Sequence, residues 1–140
     1  MRITLPSGTT ASIARAGQPS MGLVVAPDIF GLRQLYDDMV ERYANEWNMT
    51  AVAVEPFPGA ELGDDLDERF GAVPSLDDDR HLRDLLEAAD ATEAGKVGLI
   101  GFCMGGMYCF KSARSDRFAR IASFYGMIRE PANWMGPGHV

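Results

Sequence analysis

The chain alternates between short unbroken apolar runs and longer stretches in which apolar residues recur every three or four positions. Met21–Ala26 is the first such run, and residues 50–54 and 97–100 repeat it. Runs of this length, bounded by Pro, Gly and Asp, read as strands covered on both faces of a parallel sheet. Between them lie helical patterns. In residues 34–48, Tyr36, Val40, Tyr43 and Trp47 fall at i, i+4, i+7 and i+11, on one face. In residues 76–91, Leu82, Leu85, Leu86 and Ala89 form the buried stripe. Residues 107–114 read as a third helix and residues 120–125 as a last strand. Residues 2–5 and 9–15, parted by Pro6-Ser7-Gly8, predict an N-terminal β-hairpin. Residues 55–75 are rich in Pro, Gly and Asp, which predicts a lid or binding loop, or a short hidden helix. The tail from Met127 onward has no period.

Strands alternating with helices imply parallel pairing through right-handed crossovers. The expected fold is therefore α/β: a mostly parallel sheet with helices on both faces, three layers deep, opened by a hairpin. At 140 residues one domain spanning 1–140 is expected.

Composition narrows the partners. A formal net charge of −7 and a pI near 4.7 argue against nucleic acid and against anionic membrane. The acidic residues concentrate in 61–90, which reads as a solvated face. His81 stands inside the charged stretch Asp77-Asp78-Asp79-Arg80-His81 and reads as a solvated histidine. No apolar stretch is long enough to span a membrane as a helix. The cysteines, Cys103 and Cys109, have neither zinc-site nor redox-pair spacing, and a bridge between them would distort a helix. A reducing compartment, the cytoplasm, is the expectation.

The chemistry concentrates in Gly101-Phe102-Cys103-Met104-Gly105-Gly106. It follows a buried strand and precedes a helix, the order of a G-x-nucleophile-x-G elbow with cysteine at the nucleophile position. Such a turn forces its central residue into a strained backbone conformation. Gly101, Gly105 and Gly106 allow strand and helix to close around it. The glycines fit neither G-x-G-x-x-G nor a phosphate loop ending in Gly-Lys-Ser or Gly-Lys-Thr, so no nucleotide cofactor is expected, and no metal. A helix N-terminus contributes about 0.3–1 kcal/mol to an adjacent anion, too little by itself to ionise a thiol at neutral pH. A partner group is needed. Asp28, at the end of the first buried strand, is a candidate for modulating the thiol, or else only a turn former after Pro27. Cys109, in mid-helix, reads as core. His139 follows Gly136-Pro137-Gly138 and is a poor general-base candidate.

Taken in order, Val24-Val25-Ala26-Pro27-Asp28-Ile29-Phe30-Gly31-Leu32, Ala53-Val54-Glu55-Pro56, the run Gly95 to Gly106 and Phe124-Tyr125-Gly126 resemble the dienelactone hydrolase (carboxymethylenebutenolidase) family. The resemblance implies an α/β-hydrolase fold and a small-molecule ester or enol-lactone substrate. It makes Cys103 the nucleophile and the backbone N–H groups of Met104 and Ile29 the oxyanion hole. Asp28 stands where the family usually has a glutamate that contacts the thiol. Arg69 and Arg80 lie in the region of the family's substrate-binding arginines. The hydrolase order of nucleophile, acid, histidine is not completed: Asp116 falls at the wrong end of the sheet, and Glu130 and His139 come too early. The expectation is a C-terminally truncated fold with an open sheet edge through which copies could associate. The alternatives are a small flavodoxin-like cysteine–carboxylate protein of redox or glyoxalase type, and an inactive interaction module on the same scaffold.

Overall fold

Three neighbouring strands, apolar on both sides, set the middle of the sheet. The computed structural model describes residues 1–127. In chain order it contains β1 (Arg2–Thr4), β2 (Thr10–Ala14), β3 (Met21–Ala26), α1 (Gln34–Trp47), β4 (Met49–Val54), α2 (Leu66–Ala72), α3 (Asp78–Ala91), β5 (Val97–Phe102), α4 (Met104–Ser112) and β6 (Phe118–Phe124). The six strands form one sheet in the order β1-β2-β4-β3-β5-β6. The hairpin joins antiparallel, with Ile13 opposite Val52. The β4, β3, β5 and β6 strands run parallel, with Val24 opposite both Val52 and Leu99. The fold is the expected α/β-hydrolase-like arrangement.

The sheet divides the apolar interior by strand alternation. Leu23, Val25, Ala51 and Ala53 face α1, meeting Tyr36 and Val40. Val24, Ala26, Val52, Val54 and Leu99 face the other way, toward Leu82, Leu85, Met107 and Tyr108 of α3 and α4. Because α1 lies on one face and α3 with α4 on the other, the three layers follow from the two-residue period of the strands.

Of the two readings of 55–75, the short hidden helix holds: the stretch contains α2, capped by the Asp65 carboxylate accepting from Glu68 N, and a 3-10 turn at Val73–Ser75. Other sequence expectations shift. Asp77 caps α3 by accepting from Arg80 N, so that helix starts at Asp78. The helix after the elbow starts earlier, at Met104, directly behind Cys103. Trp47 is 51% exposed and Leu86 36%, so neither is core. Trp47 ends α1 beside the left-handed Asn48, and its ring stacks on Tyr43 instead of entering the sheet.

His81 is the clearest correction. It is 3% exposed, packed edge-on against Tyr108 at 4.3 Å, and burial pushes its pKa down to about 4. The acidic run is not wholly solvated either. Asp78 and Asp84 are buried, Asp78 accepting from Tyr108 Oη and Lys111 Nζ, Asp84 from Thr9 Oγ1. These partners come from α4 and the hairpin, so part of the charged run ties α3 to its neighbours.

At the far side of the sheet β6 is an edge strand among the described residues. Phe124 is 48% exposed and Tyr125 74%. Among the described residues, no helix is long and apolar enough to cross a membrane.

Candidate active site

Cys103 sits between β5 and α4 at φ 55 and ψ −114, a conformation that costs a non-glycine residue about 1–3 kcal/mol. The surroundings hold it there. Its N–H donates to Phe124 O at 3.0 Å, and its carbonyl accepts from Met107 N and Met127 N. The glycines around it are required by space. A Cβ on Gly105 would lie 1.9 Å from Ala26 O, and one on Gly101 2.2 Å from Gly105 O. A Cβ on Gly106 would meet Gly126 Cα at 2.6 Å and Ser123 Oγ at 2.7 Å. The first turn of α4 therefore rests on backbone at the end of β3 and against the end of β6. Cys103 is partly exposed and its thiol makes no hydrogen bond among the described residues. Cys109, six residues on, is buried, and burial pushes its thiol up to about 12.

The β3–α1 loop, residues 27–33, runs beside α4, since Pro27 O lies 2.6 Å from the space a Gly105 Cβ would take. Its backbone donors can be accounted for one by one. Asp28 N–H donates to Tyr36 Oη at 2.8 Å, and Phe30 N–H to Asp28 Oδ1 at 3.0 Å. Gly31 N–H donates to Asp28 O at 3.0 Å, and Leu32 N–H to Glu55 Oε2 at 2.9 Å. Within this run Ile29 N–H and Arg33 N–H, the latter at the start of α1, have no partner among the described residues. Met104 N–H, the first of α4, likewise has none.

Asp28 does not reach Cys103 with a hydrogen bond. Its carboxylate takes a two-pronged bond from Arg33, Nη1 to Oδ1 at 2.7 Å and Nη2 to Oδ2 at 3.0 Å. That bond raises the Arg33 pKa above its ordinary value. Arg33 also lies over the rings of Phe30 and Tyr36, at 5.6 and 5.3 Å. Burial raises the Tyr36 phenol well above its ordinary range, so it stays protonated while accepting from Asp28 N–H.

Sequence reasoning missed Arg33, Glu55 and Arg69 as loop-holding groups. Glu55 was visible only as the end of a strand block; its carboxylate binds two amides, Leu32 and Phe57. Arg69 is buried by its bonds to main-chain carbonyls, whereas Arg80 is half-buried beside a cavity of about 130 Å³ lined by Phe57, Leu76 and His81. His81 belongs to that cavity and makes no hydrogen bond to Cys103. Glu130 and His139 lie outside the described residues. No cluster of three or more His, Cys, Asp or Glu side chains suited to a metal occurs among the described residues.

A mixed sheet with helices on both faces, and a strained thiol-bearing residue at a strand–helix junction, is the frame of an α/β-hydrolase. The family model described as the dienelactone hydrolase family matches residues 9–135, and the chain belongs to that family. Carboxymethylenebutenolidase 2 of Cupriavidus pinatubonensis is 29% identical over 105 residues, covering 74% of this chain and 44% of the relative. A crystal structure from Klebsiella pneumoniae, described as a dienelactone hydrolase, superposes with a TM-score of 0.82 at 24% identity, over 96% of this chain and 63% of that one. A dienelactone hydrolase-like promiscuous phosphotriesterase from metagenomic libraries gives 0.68 at 24% identity, over 97% and 64%. The chain thus spans less than half of that curated relative and under two thirds of these solved structures.

Proposed function

We propose that the protein is a carboxylic ester hydrolase acting on esters or enol-lactones through Cys103. The Cys103 thiolate attacks the carbonyl carbon, and the carbonyl oxygen takes the charge. Collapse of that intermediate breaks the C–O bond and leaves a thioester on Cys103, with the leaving oxygen departing as alkoxide or enolate. Water then cleaves the thioester. The observation that supports this reading is that Met104 N–H, next in sequence to the thiol, and Ile29 N–H, in the loop that runs beside α4, have no partner among the described residues. Donors held ready where charge develops are a major source of rate in acyl transfer. The Ile29 donor is strengthened through its own peptide: the Asp28 carbonyl already accepts from Gly31 N–H, which polarises the Asp28–Ile29 amide.

Asp28 is assigned the activating carboxylate. It acts on the thiol only when Arg33 releases it, because both its oxygens are engaged. Among the described residues no histidine hydrogen-bonds to the thiol, and loss of a general base costs about 10²–10⁴ in rate. Thioester formation should therefore outrun its hydrolysis in the 140-residue chain.

p-Nitrophenyl acetate tests this. The expected result is a burst of p-nitrophenolate equal to the protein present, slow turnover afterwards, and an acetyl adduct on Cys103 by peptide mass. Cys103→Ala should abolish the burst. Equal rates from both proteins would remove the enzymatic reading and leave the interaction module. Oxidation of Cys103 by mild peroxide without any acyl adduct would favour the redox alternative.

A further inference from the structure

One side chain ties the β3–α1 loop to the segment that follows β4. Arg69 of α2 is 8% exposed and makes no ion pair among the described residues. Its guanidinium donates to main-chain carbonyls alone: Nε to Gly63 O at 2.7 Å, Nη2 to Leu62 O at 3.1 Å and Nη1 to Ile29 O at 3.2 Å. It also lies 6.0 Å from the ring centre of Phe57. A buried cation that bonds no carboxylate is costly, and bonds to neutral carbonyls, with the Glu55 carboxylate near but not bonded, offset that only in part. An apolar side chain at this site would avoid the cost. What an apolar side chain could not do is hold Ile29.

The Ile29 carbonyl and the Ile29 N–H belong to consecutive peptide planes hinged at one Cα. Fixing the carbonyl plane limits where the N–H can point. Glu55 clamps the same turn through Leu32 N–H. A Cβ on Gly31 would lie 2.9 Å from Glu55 Oε1 and 3.3 Å from Arg69 Nη1, so the two side chains converge on the same point of the turn. The fork of Arg69 is itself set by Leu62 and Gly63, which makes it a fixed strut.

We propose that Arg69 is a positioning residue for acyl transfer: it fixes the Ile29 carbonyl so that the Ile29 N–H stays aimed at the developing oxyanion. This rests on the reading of Cys103 and Ile29 given above. Arg69 does not touch the substrate in this proposal.

The test compares two reactions of the same thiol. Acylation by p-nitrophenyl acetate needs the oxyanion donors, whereas alkylation by iodoacetamide does not. In Arg69→Gln the saturating acylation rate should fall about 10–100-fold, up to the cost of misplacing a catalytic group and short of losing an oxyanion donor outright. The ester concentration for half-saturation and the iodoacetamide rate should stay within about twofold of wild type. Arg69→Lys, which keeps the charge and loses the fork, should fall between and serves if the glutamine variant does not fold. Unchanged acylation, or acylation and alkylation falling together, would overturn the proposal. Amide exchange by NMR separates this from the reading it rests on. Arg69→Gln should speed exchange at Gly31 and Leu32 at least tenfold and leave the β3 amides unchanged. If wild type shows no acylation at all, the hydrolase reading fails, and unchanged exchange at those two amides would sink the strut as well.

Discussion

Gly105 shows at the scale of one residue how the elbow is enforced. A Cβ there would lie 1.9 Å from Ala26 O and 2.6 Å from Pro27 O, and both obstacles are main chain in or beside a central strand. Neither can move without disturbing the β3 pairing. Overpacking a core costs about 1–3 kcal/mol, and Gly105→Ala should lie at the upper end or beyond. Gly95 offers the control, with open space where its Cβ would be. Gly95→Ala should change stability by no more than about 0.5 kcal/mol. Urea midpoints for the two variants check this, and equal midpoints would mean that the junction relaxes. This part of the site was legible because the glycines are adjacent in sequence to the thiol. The residues that shape the other half were not. Arg33 folds back on Asp28 within the 27–33 loop, Glu55 and Arg69 reach that loop across gaps that only folding closes, and no spacing rule marks an arginine whose partners are carbonyls.

Among the elements, α3 departs furthest from its sequence pattern. Its leucine stripe predicts one buried face, and Leu82 and Leu85 occupy it. Its acidic N-terminal half reads as solvated, yet Asp78, His81 and Asp84 are buried too. Hydropathy ranks a carboxylate as polar whether or not a lysine or threonine from another element waits to meet it. The histidine gives this a measurable consequence. Burial holds its folded pKa near 4, below the ordinary 6.5, with Asp84 and Asp78 opposing that shift. Between those values the unfolded chain binds the proton and the folded chain does not. The histidine's contribution is therefore complete above about pH 6.5 and is lost as pH falls toward about 4, at up to about 1.4 kcal/mol per unit. His81→Phe keeps the ring against Tyr108 and removes both unpartnered nitrogens. Its urea midpoint should fall less than that of wild type between pH 6.5 and 4.5. Asp78, Asp84 and Lys111 are present in both proteins, so the difference between the two curves isolates the histidine. Parallel curves would mean that the imidazole takes up its proton in the folded state.

Over the whole molecule, the sheet is graded from a doubly covered centre to an open side. Parallel pairing was implied by the alternation of strands and helices, and the central strands were plain from their apolar runs. What alternation does not specify is how well each strand is covered. In β3 and β4, Val24, Val25, Ala26 and Val52 to Val54 are fully buried. In β6 only Phe118 is buried, and the strand ends at the exposed Phe124, stacked 5.2 Å from Phe102. Opening free energy tracks such coverage, from near zero at frayed edges to the global value in core strands. Amide exchange should therefore be slowest in β3 and β4 and faster by orders of magnitude in β6 beyond Phe118. A bare strand edge is also a template for pairing with another chain, which gives the measurement a second use. Protection in β6 equal to that in β3, present at high protein concentration and lost on dilution, would mark association of copies through that edge, and sedimentation velocity would rise in step. Equal protection at every concentration would instead contradict the graded sheet, since nothing among residues 1–127 pairs with β6 on its outer side.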